Sequence, residues 1–261
     1  MTAFRGAQRI TDPMKLTARL LAVATTLLVR GSAHADSLTT LLQGVADAAR
    51  LKTPLRAEAS AEIDGLQGKS QDRLVLIERS AADGTAPREV FVQLEKASVR
   101  LLALGPSDLY VATAGKPKKA AADSAIGPTS FTAEDFLGFS PARCAAMRTA
   151  DLGQDSFTVV CEPKKPASQY SLMVYKFDRE KSALIQVLLY KDSMTNLVKL
   201  VRHDDFVRVG TAWCPKRIVV QDFKLRTKDV LTLDWKEDAA APAKAFDAKS
   251  FAEPTLLGAA H

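Results

Sequence analysis

Histidine and cysteine are scarce in this sequence, three of each in 261 residues. No His-x-x-x-His, Cys-x-x-Cys or calcium-loop spacing occurs, so no metal-site motif can be assembled. Gly-x-Ser-x-Gly and the Gly-rich phosphate loops are also missing, which removes the α/β-hydrolase and nucleotide-binding readings. No long apolar run exists; residues 20–29 form one of ten residues, and a bilayer span needs roughly 20. Basic charge is in modest excess, 36 Lys+Arg against 30 Asp+Glu, a net +6. With 47% apolar and 25% charged residues the composition is globular, which excludes wholesale disorder.

Residues 1–35 read as an address. Lys15 and Arg19 flank the apolar run, and Ala33-His34-Ala35 ends it in a small-x-small pattern. This predicts a secretory signal peptide cleaved after Ala35, with Met14 as an alternative start. Removing Arg5, Arg9, Lys15, Arg19, Arg30 and Asp12 leaves 31 basic and 29 acidic residues, a charge of +2. The basic excess therefore belongs mainly to the leader, and a nucleic-acid partner is not expected. Lys116-Pro117-Lys118-Lys119 and Lys164-Lys165 remain as short clusters without interleaved aromatics, which reads as solvated loop charge.

The rest of the chain is β-rich. Leu38, Leu41, Leu42, Val45 and Ala49 share one face at helical spacing, with Asp36 or Ser37 available as a cap. Residues 55–63 alternate strictly, with Leu55, Ala57, Ala59, Ala61 and Ile63 on one face. Further strands are expected over 73–79, 89–95, 99–104 and 108–113, with a hairpin turn at Asp83-Gly84 and a turn at Gly105-Pro106. Residues 115–128 lack periodicity and predict a mobile loop. Thr132 with Asp135 three residues on resembles a capping box and predicts a short helix. Strands then follow over 157–161, 170–177, 184–190, 197–204 and 213–224, with 225–235 continuing or adding one more. The short turns between them imply antiparallel hairpins. The prediction is a mainly β (α+β) domain over 36–238, with a linker and C-terminal tail segment over 239–261. An antiparallel sheet of this size needs a cover for one apolar face, and the two helical segments are the available ones.

Catalysis finds little support. His203, in Val201-Arg202-His203-Asp204-Asp205, reads as a surface or turn residue near a strand end, although Asp204 or Asp205 could orient it as a base. Of the cysteines, Cys144 and Cys161 are the preferred disulfide in an oxidising compartment, leaving Cys214 as a thiol; three free thiols is the alternative. What remains is binding. A concave apolar sheet can hold an acyl chain at about 0.8 kcal/mol per buried CH₂ without any polar motif.

The second half adds a family resemblance. Residues 129–138 (TSFTAEDFLG) resemble the Ser-Asp-Phe-Ser-x-Glu-Asp-type segment of LolA-like outer-membrane lipoprotein-sorting proteins. Residues 156–163 (SFTVVCEP), 170–178 (YSLMVYKFD), 184–199, Trp213-x-Pro215 and the Phe246–Phe251 segment are similar to that family's later strands and terminal Phe-rich segment. The resemblance covers residues 108–253. The Lys/Ala-rich stretch 115–125 and the third cysteine depart from it. It implies a periplasmic, unclosed antiparallel β-barrel of about eleven strands with a few helices covering the concave face. Members bind or carry lipid, typically lipoprotein acyl chains, and the fold also serves envelope-stress sensors.

The expectation is thus a monomeric, non-enzymatic periplasmic carrier for lipid or lipoprotein acyl chains, without cofactor or metal. A membrane exporter or outer-membrane acceptor is its expected partner. Its cavity is expected to be lined by Val90, Val92, Leu94, Leu231, Leu233 and Trp235, lidded by Leu38, Leu41, Leu42 and Val45, and gated by Phe131 and Phe136. The alternatives are an envelope regulatory, sensor or exporter-associated protein using the fold for protein contacts, and a hydrolase working through carboxylates.

Overall fold

A computed structural model describes residues 38–65, 68–81, 88–105, 107–165 and 168–253. The expected leader with its cleavage site, the Asp36/Ser37 cap and the Asp83-Gly84 turn lie outside the described residues. The chain divides into two units, Met1–Gln43 and Gly44–His261. Residues 38–49 are helical (α1); 38–43 belong to the first unit, where Leu38, Leu41 and Leu42 are half-buried. Among the described residues no helix is long and apolar enough to cross a membrane.

The second unit holds one antiparallel sheet of thirteen strands. Its first run is β1 (Leu55–Gly65), β2 (Gly68–Arg79), β3 (Glu89–Leu94), β4 (Val99–Gly105), β5 (Asp108–Thr113) and β6 (Lys116–Lys119). The second is β7 (Cys144–Leu152), β8 (Ser156–Pro163), β9 (Leu172–Asp178), β10 (Ala183–Tyr190), β11 (Leu197–Val209), β12 (Ala212–Asp222) and β13 (Thr227–Glu237). The spatial order is β6-β5-β4-β3-β2-β1-β13-β12-β11-β10-β9-β8-β7. Two meanders are therefore joined where β1 pairs with β13, and the sheet stays open between β6 and β7.

Two strands exceed the expected eleven. Lys116–Lys119 pairs with β5 as an edge strand, so the stretch expected to be mobile is partly ordered. Its exposed lysines suit an edge, where charge discourages pairing with another chain. The other addition, β7, is mostly exposed and carries no apolar alternation to announce it.

The open edges are consecutive in sequence, so residues 120–143 must pass from one to the other. Laid flat, thirteen strands would separate the edges by roughly 58 Å. The sheet curls instead, and the crossover lies across its concave face. A 3₁₀ turn at Ala133–Phe136 replaces the expected short helix. The Thr132 N–H donates to Asp135 Oδ2 at 2.8 Å, the reciprocal half of a capping box.

Register explains the burial. Ala57 pairs with Leu76, Leu76 with Val92 and Val92 with Leu101, so these side chains share the concave face. Ile77, Phe91 and Leu102 are paired in turn on the opposite face. That face would be wet in a simple half-barrel. Here Ala245, Phe246, Phe251 and Ala252 cover it, forming a second core with Val75, Ile77, Phe91 and Leu102. Both faces of β2 and β3 are dry, which is why Leu74–Ile77 and Val90–Val92 are continuous apolar runs. Arg79 stacks over the Phe246 ring at 4.1 Å, fixing the C-terminal segment further.

Candidate functional site: an apolar cavity under the helix and the crossover

A cavity of about 190 Å³ lies between the concave face, the helical residues 44–49 and the crossover. Val90 of β3 and Tyr175 of β9 both line it, although seven strand steps separate them in the sheet. Only the curl brings them together. The floor is Leu76, Val187, Leu189, Val201 and Ile218; Met173, Tyr175 and Phe177 form one flank, and Phe206, Trp213, Pro215 and Trp235 the other. Val45, Ala48 and Ala49 close the top beside Phe136, Leu137 and Phe139.

Local chemistry holds each wall. Phe139 packs edge-on against Tyr175 and Phe177, at 4.9 and 5.1 Å between ring centroids. The Trp235 indole N–H donates to the Pro215 carbonyl at 2.7 Å. The helix ends against β2 and β3, where Arg88 Nε donates to the Ala49 carbonyl at 3.1 Å, a cation at a helix C-terminus. The same guanidinium pairs with Glu78. At Gly44 a Cβ would meet Ser182 Oγ at 3.4 Å, so the helix runs close to the β9–β10 hairpin.

The crossover is pinned to the sheet by buried polar groups. Lys199 Nζ donates to Asp135 Oδ2 and to the Ser130 carbonyl, both at 2.9 Å, with side chains 3% and 1% exposed in the ion pair. Asp229 accepts from the Ser130 and Asp64 amides, and Ser130 shares a hydrogen bond with Thr227. Arg143 Nη2 donates to Glu134 Oε1 at 2.6 Å and its Nη1 to the Gly138 carbonyl. Burial pushes the Glu134 carboxyl up against the opposing pull of Arg143. Burial likewise raises Asp229 against its Ser130 hydrogen bonds. The Tyr175 hydroxyl, buried beside Met173 Sδ at 2.9 Å, is pushed up to about 12 by desolvation.

His203 is not at a strand end. β11 continues to Val209 past Asp205, whose left-handed φ of 55° interrupts the alternation while the register with β12 is kept. With left-handed Asp205 between them, both His203 and Phe206 line the cavity, though three positions apart on an even strand they would face opposite ways. The imidazole is pushed down to about 4, by burial first, against the Asp204 charge and a hydrogen bond to the Leu184 backbone.

Of the residues named from sequence, Val45, Val90, Phe136 and Trp235 line the cavity. Val92, Leu94, Phe131, Leu231 and Leu233 are buried but off its wall. Leu38, Leu41 and Leu42 lie in the first unit. The flank Met173, Tyr175 and Phe177 was missed, although its i, i+2, i+4 spacing could have found it. The disulfide is Cys144–Cys161, with Cα atoms 5.4 Å apart, and it ties edge strand β7 to β8. Cys214 is a buried thiol, pushed up to about 12 by desolvation.

Solved structures share this arrangement. A domain assigned as an outer membrane lipoprotein-sorting protein domain, from Vibrio parahaemolyticus, superposes with a TM-score of 0.69 at 13% identity, covering 82% of this chain and 97% of its own. A LolA superfamily protein from Nitrosomonas europaea gives 0.58 at 14% identity, over 80% and 96%. The fold is LolA-like. A DUF1329 family protein from Desulfovibrio piger also shares the LolA-like fold, with a TM-score of 0.63 at 12% identity over 80% and 96%. No family model and no curated protein matches the sequence. At these identities the likeness concerns the LolA-like fold alone.

Proposed function

We propose that this protein is a periplasmic, non-enzymatic carrier or binding protein for lipid or lipoprotein acyl chains, exported by the predicted leader and working as a monomer. A membrane exporter or an outer-membrane acceptor is its expected partner. The observation that carries the reading is the apolar cavity, closed by a helix and a crossover instead of by continuous sheet. Its charged groups are tied into ion pairs, which suits retention better than proton transfer. The fold shared with a lipoprotein-sorting domain supports the reading, and the Cys144–Cys161 bridge suits an oxidising compartment.

The cavity volume sets a condition. About 190 Å³ is near the 150 Å³ that holds a benzene-sized guest, and below the roughly 300–1,000 Å³ of usual ligand pockets. A long chain enters only if a covering element moves. The crossover is tied to β11 and β13 through Lys199 and Asp229, so the helical residues 44–49 are the cover expected to yield. Native mass spectrometry of protein purified without detergent tests the proposal. Adducts with the mass of cellular lipids are expected. A lipid-free spectrum that stays unchanged after incubation with phospholipid micelles would overturn it, and a stable protein adduct instead would favour the sensor alternative.

A further inference from the structure

The buried polar atoms left without a hydrogen bond divide by type and by place. Among the described residues these are two donors, Arg56 Nε and Arg179 Nε, and three acceptor sites, Glu134 Oε2, Asp135 Oδ1 and His203 Nδ1. Neither donor residue lines the cavity; all three acceptor residues do. Glu134 Oε2 has Ser168 and the Gln169 backbone beside it. The clearer pair is therefore Asp135 and His203. The Asp135 side chain is 1% exposed, and its Oδ2 already takes Lys199 and Thr132, while Oδ1 takes nothing. His203 bonds the Leu184 backbone through its other nitrogen, so the neutral ring presents Nδ1 as an acceptor.

The cations of the wall are engaged. Arg143 holds Glu134 and the Gly138 carbonyl, Arg88 holds Glu78 and the Ala49 carbonyl, and Lys181 holds Asp178 at 3.0 Å. An anionic head group would meet no free counter-charge there, since the Lys199 cation is likewise taken up by Asp135. Burying an unpaired acceptor costs about 1–3 kcal/mol, so an atom kept in that state inside a cavity points to a ligand that completes it. Asp135 is held by Lys199, and His203 lies four residues further along β11, about 13 Å. Both residues line one apolar enclosure, and their unpaired atoms are fully covered while it is closed, so a ligand donor reaches them only as a cover moves.

We infer that the cavity selects acyl ligands whose polar head donates hydrogen bonds and carries no negative charge, a hydroxyl or amide head in preference to a free carboxylate. The inference rests on the acyl-binding reading above. It names what that reading leaves open, the chemistry at the polar end of the cargo.

Displacement of bound N-phenyl-1-naphthylamine by two ligands of equal chain length, monopalmitoylglycerol and palmitate, tests it at neutral pH on the full chain. Monopalmitoylglycerol is expected to displace the probe at about tenfold lower concentration, the effect of one well-formed hydrogen bond to a buried acceptor. His203→Phe keeps a ring in the wall and removes the acceptor, and Asp135→Asn leaves Lys199 as an uncompensated cation that favours palmitate. Either variant is expected to narrow the preference to roughly twofold or less. Equal or tighter displacement by palmitate from the wild type would overturn the inference while leaving acyl binding intact. A wild-type preference that neither variant alters would overturn the assignment to these residues. Displacement by neither ligand would remove the acyl-binding reading, and the inference with it. The wild-type comparison alone decides the selectivity should a variant fail to fold.

Discussion

Single residues in the crossover carry more of the fold than their number suggests. Lys199 and Asp135 are almost fully buried and compensate each other. Removing one partner leaves an uncompensated charge, which costs about 3–5 kcal/mol, whereas replacing both with apolar groups is far milder. Lys199→Met is therefore expected to lower the urea unfolding free energy by that amount, and Lys199→Met with Asp135→Leu to recover most of it. His203 adds a pH dependence. Its folded value is depressed to about 4, so the stabilisation of the neutral ring is complete above its ordinary value near 6.5. As the pH falls between the two, the unfolded chain takes up a proton that the folded chain does not, and stability drops by up to about 1.4 kcal/mol per pH unit. Glu134 and Asp229, raised by burial, act in the opposite sense by binding protons in the folded state first. The difference between wild-type and His203→Phe unfolding curves isolates the histidine; it should grow from pH 6.5 towards 4, and parallel curves would contradict the burial argument.

At the scale of elements, the sequence was most legible where one periodicity ruled. β1, β3, β5 and β10 lie within about two residues of their expected bounds, because alternation and turn chemistry agree there. It was least legible where an edge strand or a second core intervened. β7 is exposed on both sides and so has no pattern to read. Phe91 breaks the polar side of β3 for a reason found 160 residues later, in Phe251. The cavity shows the same split. Val90 and Trp235 could be named from alternation, but His203 and Phe206 depend on a left-handed backbone at Asp205 in mid-strand. The C-terminal segment is part of the packed structure, so Phe251→Ala, at a fully buried position, is expected to cost about 3–5 kcal/mol in denaturant unfolding. The Cys144–Cys161 bridge closes a separation of 17 residues, for which loop entropy predicts about 3 kcal/mol. Unfolded, unreduced protein should show one reactive thiol, Cys214; three would remove the bridge.

For the whole molecule, the open sheet is the functional premise. A closed barrel admits a guest only through its ends, whereas a gap between β6 and β7 leaves the concave face to be covered by residues 44–49 and the crossover. The central claim is that the space beneath those covers takes an acyl chain. Val187 lies on the cavity floor and is buried. Val187→Trp should fill the space at a cost of about 1–3 kcal/mol, leaving a cooperative unfolding transition. Titration of both proteins with a fluorescent fatty-acid amide is the direct test. The account predicts saturable binding by the wild type and its loss in Val187→Trp. Equal uptake by the two proteins, or none by the wild type, would contradict it.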